Sequence, residues 1–62
     1  QGDWRMVLAD YLNLRTGPGT GNPVVEVLRQ GDRVRVVNQQ DQWAELSHPA
    51  QGWVDKSFLS DP

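Results

Sequence analysis

The sequence predicts a small all-β domain, a sandwich or barrel of short strands, and three observations carry that expectation. Apolar and polar residues alternate with a period of two in several short stretches, as in Arg33-Val34-Arg35-Val36-Val37, and a period of two is the signature of a half-buried strand. Glycine or proline interrupts most windows in which a helix would have to run, and no stretch keeps apolar residues at a 3.6-residue period for three turns. The chain has 62 residues, and antiparallel neighbours need only the short connections that such a length leaves.

The elements follow in order. Met6-Val7-Leu8-Ala9 predicts a first short strand. Leu12-Asn13-Leu14-Arg15 predicts a second, with its leucines on one face. A loop rich in glycine follows, Gly17-Pro18-Gly19-Thr20-Gly21, in which Pro18 fixes its own φ and biases Gly17 toward extended backbone. In residues 24–28, Val25 and Val27 share one face while Val24 and Leu28 share the other. A bulge, or burial on both faces, would accommodate that pattern. Arg29-Gln30-Gly31-Asp32 is a tight turn, Gly31 taking a positive φ at no steric cost. Val34 and Val36 then face the core, and Arg33 and Arg35 face solvent.

Residues 38–42 form a polar loop. Trp43-Ala44-Glu45-Leu46 is the next strand, with Ala44 and Leu46 on one face and Trp43 and Glu45 on the other. Residues 47–52 hold both Pro49 and Gly52 and form a turn, with His48 facing solvent. Lys56-Ser57-Phe58 has the length of one 3₁₀ turn, and Ser60-Asp61-Pro62 reads as linker or frayed end.

Composition narrows the function. A single domain over residues 1–62, with its core at about residues 6–59, is the sensible organisation, and we expect it to be a fragment of a longer protein. A domain of this size buries only about 60% of the surface its unfolded chain exposes. There is no cysteine and a single histidine, so neither a disulfide nor a zinc site built from thiolates or histidines supports the fold. No cofactor is expected. Net charge is −2 with both signs interspersed, which excludes the basic stripe of a nucleic-acid binder. No polybasic surface or long apolar run points to membrane insertion.

Candidate chemistry is sparse. A phosphate-cradling loop needs a helix N-terminus behind its glycines, and usually a Lys-Ser/Thr. Gly21 is followed instead by Asn-Pro-Val-Val, a strand-like start. Ser47 and His48 are neighbours in sequence, but nothing marks the spatial triad that nucleophilic catalysis requires. No catalytic residue is assigned, and an enzymatic role is not expected. The aromatic set is more informative: Trp4, Tyr11, Trp43, Trp53 and Phe58. Trp4 is expected to pack in the core or to cover a barrel end. Trp43 and Trp53 alternate out of phase with core positions, and exposed aromatics that cluster mark contact surfaces. Arg15 is expected to lay its stem along the barrel and pair with a nearby acid.

Three pieces in order resemble a known family: "LNLRTGPG" near the start, "VLRQGDRVRVV" in the middle and "QGWVDKSFL" at the end. Together they resemble the bacterial SH3 (Src-homology-3) domain over about residues 7–59. The resemblance implies a partly open barrel of five to six antiparallel strands with one short 3₁₀ turn at Lys56-Ser57-Phe58, and makes the glycine-rich segment the long loop after the first strand. Relatives in the wider family bind proline-rich peptides in a groove walled by aromatics. By that likeness Trp43, Trp53 and Phe58 match groove positions and Tyr11 lies near the first aromatic wall. Asp55 stands where the groove proline would be, Phe58 replaces a tyrosine, and the long loop lacks the acidic residues of the eukaryotic relatives. These departures count against a proline-rich ligand.

The expected ligand-binding set is therefore Tyr11, Trp43, Trp53, Asp55 and Phe58. Trp43, Trp53 and Phe58 would form an apolar platform, and Asp41, Glu45 and Asp55 an acidic rim that favours an amine. The resemblance implies a non-catalytic binding or targeting module that recognises cell-wall (peptidoglycan) peptides for a protein of the cell envelope, periplasm or outside. The alternative is a scaffold whose aromatic face packs on another protein or on a neighbouring domain of the parent.

Overall fold

The computed structural model describes residues 3–61. Six strands form one antiparallel sheet: β1 Asp3–Met6, β2 Tyr11–Arg15, β3 Val24–Arg29, β4 Arg33–Gln40, β5 Trp43–His48 and β6 Gly52–Asp55, followed by a 3₁₀ turn at Lys56–Phe58. Their order is β1-β4-β5-β6-β2-β3, so consecutive strands are joined by hairpins at three places and β1 and β3 form the two edges. Pro18 and Pro23 lie between strands rather than in them, where a missing N–H costs no ladder bond.

The inward side chains come from nearly every element. Leu12 and Leu14 of β2, Leu28 of β3, Val34 and Val36 of β4, Ala44 and Leu46 of β5 and Val54 of β6 are buried, joined by Val7 and Leu59. The alternation in β2, β4 and β5 thus selects the inner face as the sequence predicts, and Val54 joins it from β6. No buried residue among those described is polar or charged, so burial of apolar area with backbone pairing holds this small core.

The first strand is shifted from its expected place. β1 covers Asp3–Met6, and Val7 makes an isolated bridge to Leu59. Leu8 and Met6 are exposed, while Val7 is fully buried. The glycine-rich loop consequently follows the second strand. Residues 29–32 dock under Val7: the Gly31 N–H donates to the Val7 carbonyl at 2.9 Å and the Val7 N–H to the Asp32 carbonyl at 2.9 Å. Gly31 sits at φ 91°, the positive φ expected of it. The tail is less free than expected. Ser60 donates its N–H to the Met6 carbonyl and accepts from the Met6 N–H through Oγ, both at 2.9 Å. Pro62 lies outside the described residues.

One further departure and two irregularities of pairing have local causes. Residues 38–40 continue β4, because ladder bonds are made by the backbone and do not require apolar side chains; only Asp41 and Gln42 remain as the hairpin turn, with Asp41 at φ 55°. Between β4 and β5 the register shifts twice, leaving Ser47 unopposed in β5 and Val37 unopposed in β4. Such bulges increase the local twist. Val25 in β3 is also unopposed, since Leu14 pairs with Glu26 and Arg15 with Val24. A bulge, rather than burial on both faces, therefore resolves the ambiguous pattern of residues 24–28, and Val24, Val25 and Val27 are all exposed.

Trp4 is not a core residue. It lies 42% exposed on β1, its ring 5.3 Å from that of His48 and under the Arg33 guanidinium at 5.5 Å.

Candidate functional site

The outer face of β2, β6 and β5 carries the aromatic residues singled out from the sequence. Trp43 pairs across strands with Asp55, and Glu45 with Trp53. Ala44, Leu46 and Val54 point inward, so these four side chains share the opposite face. Arg15 of β2 pairs with Trp53, bringing Tyr11, Asn13 and Arg15 alongside.

A groove of about 180 Å³ runs over this face, lined by Tyr11, Asn13, Arg15, Thr20, Trp43, Asp55 and Phe58 with Leu12 beneath. Four of the five expected residues, Tyr11, Trp43, Asp55 and Phe58, therefore meet in one place. Trp43 is half-buried, whereas Tyr11 and Phe58 are 66% and 45% exposed. The volume lies below the roughly 300–1,000 Å³ usual for small-molecule pockets, so the groove suits one or two side chains of an extended ligand rather than an enclosed molecule.

Each wall is set by an identifiable contact. The Lys56 N–H donates to the Gln42 carbonyl at 2.8 Å, which fastens the 3₁₀ turn to the hairpin carrying Trp43. The Leu8 N–H donates to the Phe58 carbonyl at 2.8 Å, fixing Phe58 from the other side. Asp55 caps the turn: its Oδ1 accepts from the Ser57 N–H at 3.0 Å and the Ser57 hydroxyl at 2.7 Å. The carboxylate thus has a structural use in addition to its place in the groove. Tyr11 lies under the Arg29 guanidinium, 5.7 Å from the ring centroid.

Arg15 holds the glycine-rich loop. Its Nη1 donates to the carbonyls of Thr20 and Asn22, each at 2.9 Å. The expected acidic partner is replaced by backbone, because this loop offers no carboxylate but does present inward carbonyls. Asn22 closes the turn on Gly19, its N–H and its Nδ2 both 3.3 Å from the Gly19 carbonyl. Gly19 sits at φ 140°, in the region that favours glycine. The loop joins two strands, and its glycines serve the reversal and the placement of Thr20 at the groove wall.

Trp53 does not share this groove. It lines a second depression of about 250 Å³ with Thr16, Val25, Glu45, Gln51 and Gly52. The three-residue platform is in fact divided, with Trp43 and Phe58 on one side and Trp53 on the other. The acidic rim divides with it: Asp55 belongs to the first depression and Glu45 to the second, while Asp41 occupies the β4–β5 turn and lines neither. Asn13 and Thr20 are groove residues that the sequence pattern did not single out. Asn13 was available from its parity with Tyr11, whereas Thr20 depends on the loop conformation. Among the described residues no three His, Cys, Asp or Glu side chains gather as a metal site requires, and no helix is long and apolar enough to cross a membrane.

Comparison with known proteins agrees with this architecture. A curated relative, named "Putative N-acetylmuramoyl-L-alanine amidase YrvJ" of Bacillus subtilis (strain 168), is 34% identical over 50 residues, covering 79% of this chain and 10% of the relative. The chain thus spans about a tenth of that relative's length. The family model of the bacterial SH3 domain matches residues 10–60, a span that includes β2 through the 3₁₀ turn and both outer depressions. This chain belongs to the bacterial SH3 domain family.

Proposed function

We propose that this domain is a non-catalytic targeting module that holds cell-wall (peptidoglycan) peptides in the groove of Tyr11, Trp43, Asp55 and Phe58, on behalf of an envelope or secreted protein. The observation that carries the reading is the groove itself: three aromatic side chains from separate elements converge beside one carboxylate, with walls fixed by backbone hydrogen bonds. Aromatic faces contact the apolar parts of a peptide, and Asp55 favours an ammonium group. The similarity to part of a protein named for N-acetylmuramoyl-L-alanine supports the choice of cell-wall peptides. A site this shallow binds weakly alone, and linkage to further binding or catalytic units of a parent would raise its effective affinity.

A titration followed by backbone amide and indole NMR shifts tests the reading, with soluble peptidoglycan stem peptides and a proline-rich peptide as control. Shifts at Tyr11, Trp43 and Phe58 with the stem peptides alone are expected. Silence with the stem peptides, or a response confined to the proline-rich peptide, would overturn it. The scaffold alternative has the same aromatic face packed on another protein or on a neighbouring domain of the parent, and predicts that stem peptides leave the groove unchanged.

A further inference from the structure

We infer that the depression at Trp53 and Glu45 is a second cation-accepting site, and that the domain prefers peptides carrying two ammonium groups over peptides carrying one. The inference extends the peptide-groove reading above. Its basis is the pairing of β5 with β6, in which Trp43 lies opposite Asp55 and Glu45 lies opposite Trp53 on the next rung of the same face. The same combination, an indole beside a carboxylate, therefore occurs twice with its strands exchanged. Diagonal neighbours on one face of an antiparallel pair are roughly 7–8 Å apart, which sets the separation of Asp55 from Glu45.

Both carboxylates keep capacity for a ligand. Asp55 uses Oδ1 for both of its bonds to Ser57, leaving Oδ2 without a hydrogen bond among the described residues. Glu45 is half-buried, and its side chain takes part in no hydrogen bond or ion pair among them. Arg15, which lines the groove with Asp55, gives Nη1 to the carbonyls of Thr20 and Asn22 and so braces the glycine-rich loop. A half-buried carboxylate beside a half-buried indole attracts an ammonium twice over, through its charge and through the ring face. Gln51 and Thr16 on the rim supply further polar contacts. The occupant is therefore a peptide with an α-ammonium and a side-chain ammonium, or two side-chain ammonium groups, close enough to reach both depressions.

The test is an NMR titration with alanyl-lysine amide, which carries two ammonium groups, and with its N-acetyl form, which carries one. The indole N–H signals of Trp43 and Trp53 report the two depressions separately, and Trp4, which lines neither, is the control. We expect alanyl-lysine amide to move the Trp43 and Trp53 signals along one isotherm while Trp4 stays still. Acetylation should weaken binding about five- to tenfold, the scale of one exposed ion pair with a cation–π contact. Glu45→Gln should weaken alanyl-lysine amide to the same extent and abolish the Trp53 shift while keeping that of Trp43. This variant removes no internal bond, so its melting temperature should match the unmodified domain. A stationary Trp53 signal, or Glu45→Gln binding as the unmodified domain does, would overturn the inference. Trp43 moving while Trp53 stays still would remove the second site and leave the groove reading intact. Trp53 moving alone would keep the second site and remove the groove reading.

Discussion

Strands β5 and β3 make an instructive contrast. Both are six residues long, and β3, with three valines, is the richer in residues that favour strands. β5 lies between β4 and β6, and each residue from Trp43 to Leu46 falls on the face its parity dictates: Ala44 and Leu46 buried, Trp43 and Glu45 at the outer surface. β3 lies at the edge with β2 as its partner, and of its apolar residues only Leu28 is buried. A strand paired on both sides is held in register by two ladders, so a one-residue slip would turn its apolar side chains to solvent. The unopposed residue of β5, Ser47, falls beyond this run, whereas that of β3, Val25, falls inside its apolar stretch. The lesson is that alternation locates the core where the sheet is continuous, and locates much less at an edge.

Substitutions can break that contrast, and the largest effect belongs to the interior strand. Leu46 is fully buried in β5, and Leu46→Ala should cost about 2–5 kcal/mol. A domain of this size has roughly 3–5 kcal/mol of stability to lose, so this variant should be largely unfolded by circular dichroism near room temperature. Next comes Gly52, where β6 crosses close to β2. A Cβ there would lie 2.8 Å from the Arg15 carbonyl oxygen and 2.8 Å from Leu14 Cγ, so Gly52→Ala should destabilise by about 1–3 kcal/mol as the strands are pushed apart. Urea titration would register the change.

Smaller effects sharpen the comparison. Asp55→Ala removes the two Ser57 bonds and should cost about 1 kcal/mol, in the range of a lost helix cap; at about 4–8 °C per kcal/mol for a domain of this size, the melting point resolves it. Val27→Thr on the outer edge keeps the branched side chain and loses no packed neighbour. It should change stability by less than about 0.5 kcal/mol. An edge valine costing as much as Leu46 would mean that β3 is a core strand in solution.

The same reasoning explains how much of the molecule was legible beforehand. The inner face of β2, β4 and β5 follows from period-two alternation, and Gly31 and the 3₁₀ turn follow from local chemistry. Trp4 did not, because at a chain end parity has no fixed reference: the strand begins three residues earlier than its apolar residues indicate, and Trp4 lies outside against His48 and Arg33. The polarity of residues 38–40 predicts a loop, whereas the hairpin requires only backbone pairing. In the candidate site, parity puts Trp43 on the outer face and leaves the exposure of Trp53 open; the β5–β6 register puts both on one outer face. Their separation into two depressions depends on which rung each occupies and on Arg15 with its loop, and pairing register of that kind is absent from a one-dimensional pattern.

On the proposed function, the inner face of β5 holds the fold while its outer face serves binding. The measurement that separates the two faces is thermal unfolding and stem-peptide affinity of Trp43→Ala on the same sample. The melting temperature should fall by no more than about 10 °C, as for a half-buried side chain whose loss costs about 1 kcal/mol, and peptide binding at Tyr11 and Phe58 should disappear. A folded variant that binds stem peptides as the unmodified domain does would contradict the role of the groove, and an unfolded one would show that Trp43 belongs to the core.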